Sequence, residues 1–131
     1  MRSLLMPHRL DHVSIAVHDI AISTQFYVDV FGWPIVRTSG DPVTGQWLGI
    51  GGSDTLHLNQ GDMSTTTVTK DNHLAIRVDG FDAFLDRLTS IGVTYYDWPG
   101  AAKVIGHHPA GFRQVYIQDP NGYWVEINDH T

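Results

Sequence analysis

The chain is written twice. Residues 10–18 read LDHVSIAVH and residues 71–79 read DNHLAIRVD, each with a histidine at the start of a strand-like alternation. Each leads into an amphipathic helical stretch that stops at a glycine, Gly32 or Gly92. Each copy then returns through a turn to a second short strand, TLHLN with His57 in the first and YWVEIN with Glu126 in the second. Self-similarity at a fixed period constrains architecture before any single residue is read. One metal-type side chain near each end of a repeat of about sixty residues suggests a pseudo-symmetric metal site.

Periodicity supplies the elements. Alternation predicts a first strand over about 10–18, with Val13, Ile15 and Val17 on one face and His12, Ser14 and Ala16 on the other. A helix follows over about 20–31, with Ile22, Phe26 and Val30 recurring at helical spacing, Asp19 as N-cap and Gly32 as left-handed C-terminal residue. WPIVRT, QWLGI and TLHLN read as strands separated by the turns SGDPVTG and GGSD. The threonine-rich stretch 61–71 reads as a linker. In the second copy HLAIRV is a strand, and Phe81, Phe84, Leu85, Leu88 and Ile91 form a helical stripe ended by Gly92. VTYYDW is the next expected strand. The loop PGAAKVIGHHPAG, the strand FRQVYIQ, the turn DPNG and the strand YWVEIN follow. Each copy is thus β-α-β-β-β, and the class is α+β: one domain, with module one over about 8–60, a linker over about 61–70 and module two over about 71–131.

Strand phase singles out the candidate site. Val13/Ile15/Val17, Leu56/Leu58, Leu74/Ile76/Val78 and Tyr123/Val125/Ile127 form an apolar face that can take the helices. The opposite face holds His12, His57, His73 and Glu126 among small or polar neighbours. A lone strand histidine is ordinarily a satisfied core or edge residue. Four strands agreeing in phase, at matching places in two repeats, favour a shared metal site. Three neutral imidazoles and one carboxylate suit one divalent ion of the Zn²⁺, Ni²⁺, Co²⁺, Fe²⁺ or Mn²⁺ type and leave up to two positions for water or substrate. His18 sits at a strand exit and His8 and His130 near the termini, where surface roles are expected. His107 and His108 fall in the long loop, where solvation competes with a role as lid or acid–base pair.

Composition excludes other classes. The 131 residues suffice for one domain with its own core. A net charge of −6 without a basic cluster argues against nucleic acid or an anionic membrane surface as partner. With no cysteine there is no disulfide, thiolate site or cysteine nucleophile. No run is long enough to span a bilayer, and MRSLLMPHRL lacks an adequate apolar segment or cleavage site, so a cytoplasmic location is the expectation.

The order LDHVSIAVHDI…FYVDVFGW, LHLNQ, DNHLAIRVD and QVYIQDPNGYWVEIND resembles the vicinal oxygen chelate superfamily over nearly the whole chain. That group includes glyoxalase I, methylmalonyl-CoA epimerase, fosfomycin-resistance thiol transferases, extradiol dioxygenases and bleomycin-resistance proteins. WLGIGGSDTLHLNQ is most similar to the glyoxalase-I-like branch. The resemblance implies paired βαβββ modules forming a U-shaped mixed sheet around a cavity, with the helices outside. It also implies four ligand positions on His12, His57, His73 and Glu126. Members often dimerise with modules exchanged, so a homodimer is implied, with the cavity either within one chain or built from two. Glyoxalase I enzymes carry Glu where this chain has His57, which keeps a ligand but removes one potential base. Arg37 in VRTS resembles a glutathione-contacting stretch of some glyoxalases.

The leading expectation is a metal-dependent lyase or isomerase of glyoxalase type, acting on a small substrate, such as a glutathione or other thiol adduct. Its two vicinal oxygens would be chelated and an enediolate stabilised. Glu126 would be both ligand and base. Arg37, Gln114, Tyr116 and Trp124 are candidate cavity walls. The alternatives are an extradiol-type dioxygenase or thiol transferase using His12, His73 and Glu126, and a metal-free drug-binding protein.

Overall fold

The computed structural model describes residues 7–131; the N-terminal stretch read above for targeting falls largely outside the described residues. The first module comprises β1 (His12–Val17), α1 (Ile20–Phe31), β2 (Ile35–Ser39), β3 (Gly45–Gly51) and β4 (Asp54–Gln60). The second comprises β5 (His73–Arg77), α2 (Phe81–Ser90), β6 (Gly106–His107), β7 (Arg113–Gln118) and β8 (Trp124–Asn128). Each forms a four-stranded mixed sheet, in the order β1-β4-β3-β2 or β5-β8-β7-β6. In both, the first strand pairs parallel to the last and the other pairings are antiparallel. The fold is therefore two tandem modules of the α+β class. Residues 61–72 contain neither helix nor strand.

Local chemistry sets the element ends. Asp19 accepts the Ile22 amide at 3.0 Å, satisfying one of the free N–H groups at the start of α1. Gly32, at φ 68° and ψ 21°, takes the left-handed conformation that lets its N–H close onto Val28 O at 2.8 Å.

Two expectations need correction. VTYYDW does not become a strand; only Tyr96 pairs, in isolated bridges to Tyr116 and Ala102. The Asp97 side chain captures the amides of Gly100 and Ala101 at 2.9 and 2.7 Å, which turns the backbone away from the sheet. The edge position is filled instead by β6, inside the segment read as loop. Ile22, assigned to the buried stripe of α1, is 58% exposed. The buried face is Ile20, Ser23, Thr24, Tyr27 and Val30. Its small hydroxyl residues admit the DPNG turn of the second module, with Asn121 Nδ2 donating to Ser23 Oγ at 3.0 Å.

One core joins the modules. Leu56 and Leu58 of the first sheet and Val115, Ile117, Val125 and Ile127 of the second are buried in it, with Tyr27 and Leu88 from the helices. Phe31 and Phe84 meet across the helices at 5.6 Å between ring centres. Polar ties cross the same boundary. Asn121 Oδ1 accepts the His18 amide at 2.9 Å, and the buried Tyr27 hydroxyl donates to Asp119 Oδ2 at 2.8 Å. Asp119 also accepts the amides of Asn121 and Tyr123. Burial pushes its carboxyl up from the ordinary value, and the Tyr27 hydroxyl leads the hydrogen bonds that pull it back. Deleting a partner of a buried, charged acceptor costs its desolvation. Tyr27→Phe is therefore expected to destabilise the chain by about 1–3 kcal/mol, read as a lower urea midpoint at unchanged slope.

Candidate functional site

The repeat is exact enough in register to superimpose two half-sites. In the first sheet Ser14 pairs with His57, so His12, two residues earlier, lies diagonal to it. In the second Ala75 pairs with Glu126, and His73 lies diagonal in the same sense. The antiparallel neighbour places an aromatic opposite the last-strand residue each time: Trp47 opposite His57, Tyr116 opposite Glu126. An asparagine follows two residues on, Asn59 or Asn128, on the same face because side chains alternate. Alternation and a shared strand offset thus bring together four types of position, twice.

In the first half-site His12 and His57 are 6.1 Å apart between ring centres. His57 lies flat on Trp47 at 3.6 Å. The Arg37 guanidinium covers Trp47 at 4.5 Å. These residues line a cavity of about 460 Å³ together with Asp11, Val36 and Thr55. Burial first, then the nearby His12 and Arg37, holds the His57 imidazole below its usual range. Gly45 leaves room beneath it, since a Cβ there would collide with Ser39 Oγ and press on His57 Nε2 at 3.4 Å.

In the second half-site His73 Nε2 stands 3.4 Å from Glu126 Oε1. Glu126, 8% exposed, accepts the Tyr116 hydroxyl at 2.9 Å on Oε1 and the Asn128 amide at 2.7 Å on Oε2. Burial, and then the bond to Glu126, raises the Tyr116 phenol above its ordinary value, so it remains a donor.

Two of three observations fit these residues to a cation. His73 Nδ1 is 2.7 Å from the Lys70 carbonyl, which can only accept, so the neutral ring carries its proton on Nδ1. Its Nε2 lone pair then faces a carboxylate oxygen, an arrangement that only a proton or a metal ion reconciles. His12 Nδ1 lies 2.6 Å from Asp11 Oδ2, which likewise directs its Nε2 lone pair outward. His57 Nε2 is buried without a hydrogen-bond partner, while its Nδ1 is 3.3 Å from the Asn59 amide. His12 and His73 thus have Nδ1 held by an acceptor and Nε2 left for another ligand, whereas the Asn59 amide donates to His57 Nδ1 and leaves the proton of that neutral ring on Nε2.

The four sequence-derived positions come together as two pairs, one per module. Among the described residues, no three His, Asp or Glu side chains close on one point. Of the wall candidates, Arg37 lines the first half-site, Tyr116 bonds to Glu126, and Trp124 lies 4.5 Å beneath the Lys70 ammonium. Gln114 lies two residues along β7 from Tyr116, opposite Asn128. His108 stacks on Phe112 at 4.4 Å and accepts the Ala110 amide, shaping its own loop. Sequence reading missed Asp11, Lys70 and Trp98. Asp11 had the signal of adjacency to His12; Lys70 and Trp98 had none, since they act from irregular backbone.

The protein-family model described as Glyoxalase/Bleomycin resistance protein/Dioxygenase superfamily matches residues 9–127. The chain is 30% identical over 129 residues to the uncharacterized protein YwbC of Bacillus subtilis, spanning 93% of this chain and 98% of the relative. It is 28% identical over 128 residues to a probable lactoylglutathione lyase of Vibrio cholerae, spanning 92% and 89%. The solved structure of oxidase ChaP-H2 aligns over 96% of both chains with TM-score 0.77 and 26% identity.

His57 is expected to titrate below the free-imidazole value of about 6.5 in NMR of the metal-free protein. Arg37→Ala removes one neighbouring cation and should move that midpoint upward, part of the way back.

Proposed function

The chain belongs to the Glyoxalase/Bleomycin resistance protein/Dioxygenase superfamily, and on that basis we propose that it is a divalent-metal-dependent lyase or isomerase of glyoxalase type. Its substrate is a small molecule presenting two vicinal oxygens. The observation that carries this reading is His73 Nε2 standing 3.4 Å from the Glu126 carboxylate while its Nδ1 is taken by the Lys70 carbonyl. His12, His57, His73 and Glu126 would hold the ion, which supplies Lewis-acid polarisation of the substrate oxygens when bound.

The chain's own groups do the rest. Glu126 accepts a proton from the carbon beside those oxygens, and the Tyr116 and Asn128 donors fix the direction of its carboxylate. Arg37, spread on Trp47 at the 460 Å³ cavity, receives an anionic arm of the substrate. The lactoylglutathione lyase name of the Vibrio cholerae relative favours a glutathione adduct for that arm. Among the described residues no three of these side chains close on one point, which supports a working unit in which a second copy supplies the other pair, a homodimer with two sites.

A second reading, an oxygen-using enzyme of the extradiol type on His12, His73 and Glu126, is favoured by the oxidase name of the similar solved structure. Its mark is oxygen consumption with a catechol and no proton exchange.

Metal analysis should find one ion per chain, and chelation should leave circular dichroism unchanged because the apolar core holds the fold. Deuterium beside the substrate oxygens should wash out into solvent with wild type. Glu126→Gln should lose this exchange while retaining some metal, because an amide keeps an oxygen ligand but is no base. Co-refolding His57→Ala with Glu126→Gln should restore about a quarter of wild-type exchange, since a random two-fold dimer regains one intact site in half its molecules. Less than one-tenth of an ion per chain after soaking, by an order-of-magnitude standard for stoichiometric binding, would rule the reading out.

A further inference from the structure

Lys70 lies in the irregular segment before β5, and its ammonium is seated among aromatic faces. It lies 4.5 Å from the Trp124 ring, 4.9 Å from Tyr116 and 5.3 Å from Trp98. It also donates to the carbonyls of Asp97 and Trp98 at 2.8 and 2.7 Å. A lysine over one ring gains a modest electrostatic attraction, and three rings with two carbonyl acceptors hold it in one place. No carboxylate side chain pairs with this ammonium among the described ion pairs.

Both members of the second half-site attach to this hub. The Lys70 carbonyl accepts His73 Nδ1 at 2.7 Å and so sets the ring's tautomer and direction. Tyr116, under the ammonium, carries the hydroxyl bonded to Glu126 Oε1. Trp98, whose carbonyl the ammonium pins, sets its ring edgewise to His73 at 6.3 Å and to Tyr116 at 5.3 Å. The segment before β5 and the 97–98 turn, neither held by sheet pairing of its own at these residues, are thereby locked to each other across the half-site.

We infer that Lys70 is the positioning residue of the second half-site: its caged ammonium fixes the backbone that aims His73 and the aromatic pair that aims Glu126. Lys70 touches no reacting atom and acts only through these neighbours. The metal arm of the test rests on the reading of His73 and Glu126 as ligands; the spectroscopic arm does not.

The test uses the full chain with Lys70→Met, which keeps the stem and removes the charge, and Lys70→Arg, which restores a cation able to lie on aromatic faces. In metal-free protein, NMR should show the Trp98 and Trp124 indole signals displaced in Lys70→Met, and faster solvent exchange of the His73 Nδ1 proton. Lys70→Arg should return both toward wild type. In competition titrations Co²⁺ affinity should fall about tenfold in Lys70→Met, the scale of losing an outer-shell support, with the thermal midpoint held within about 5 °C. Unchanged His73 and indole signals in Lys70→Met overturn the inference, as does loss of affinity that only follows loss of folded protein and is not rescued by Lys70→Arg. If wild type binds Co²⁺ and Lys70→Met binds it equally well, the inference fails and the metal reading stands. If wild type binds no Co²⁺, the metal reading fails, and the His73 and indole signals alone decide the role of Lys70.

Discussion

The parallel pairing of the first and last strand within each module is the constraint on which the site depends. It aligns Ser14 with His57 and Ala75 with Glu126, and the two-residue step back to His12 and His73 then places each diagonal pair on one face. A shift of one residue in either ladder would send the histidine to the helix side and an apolar residue to the cavity side. Such a slip is opposed by the core, because Leu56, Leu58, Val125 and Ile127 would leave it at the same stroke. Burial on one face thus guards geometry on the other.

Orientation is a second layer, supplied by the neighbours of these four side chains. Asp11 and the Lys70 carbonyl each accept at an Nδ1, so His12 and His73 present the same nitrogen, while Asn59 donates to His57 Nδ1 and sets the other tautomer there. Tyr116 and Asn128 do the equivalent for the two oxygens of Glu126. The two halves differ in how far they are enclosed. Glu126 is buried beneath Tyr116 and its neighbours, whereas the His12 side chain is 43% exposed beside an open cavity.

Strand phase was the legible part of the sequence. His12, His57, His73 and Glu126 could be assigned to one face because alternation is a covalent property of extended chain. The caps of α1 at Asp19 and Gly32 were legible because each satisfies a specific backbone need. Ile22 was not, since its helix turns the small Ser23 and Thr24 inward to receive a turn 98 positions away in sequence, a tertiary preference that periodicity does not encode. The fate of VTYYDW was hidden for a different reason: propensity favours a strand there, and a single aspartate capturing two amides outweighs it. Lys70 gave no signal at all, because a charge in a linker looks solvated until the three rings that cover it have been folded around it.

The central claim is that one ion is held jointly by the His12/His57 half and the His73/Glu126 half. Co²⁺ absorption titrations of wild type, His12→Ala and His73→Ala address it directly, because the visible bands report the ligand set. The account predicts one ion per chain in wild type and a changed spectrum with weakened binding from either substitution. A spectrum and affinity untouched by His12→Ala, with the loss confined to His73→Ala, would contradict it.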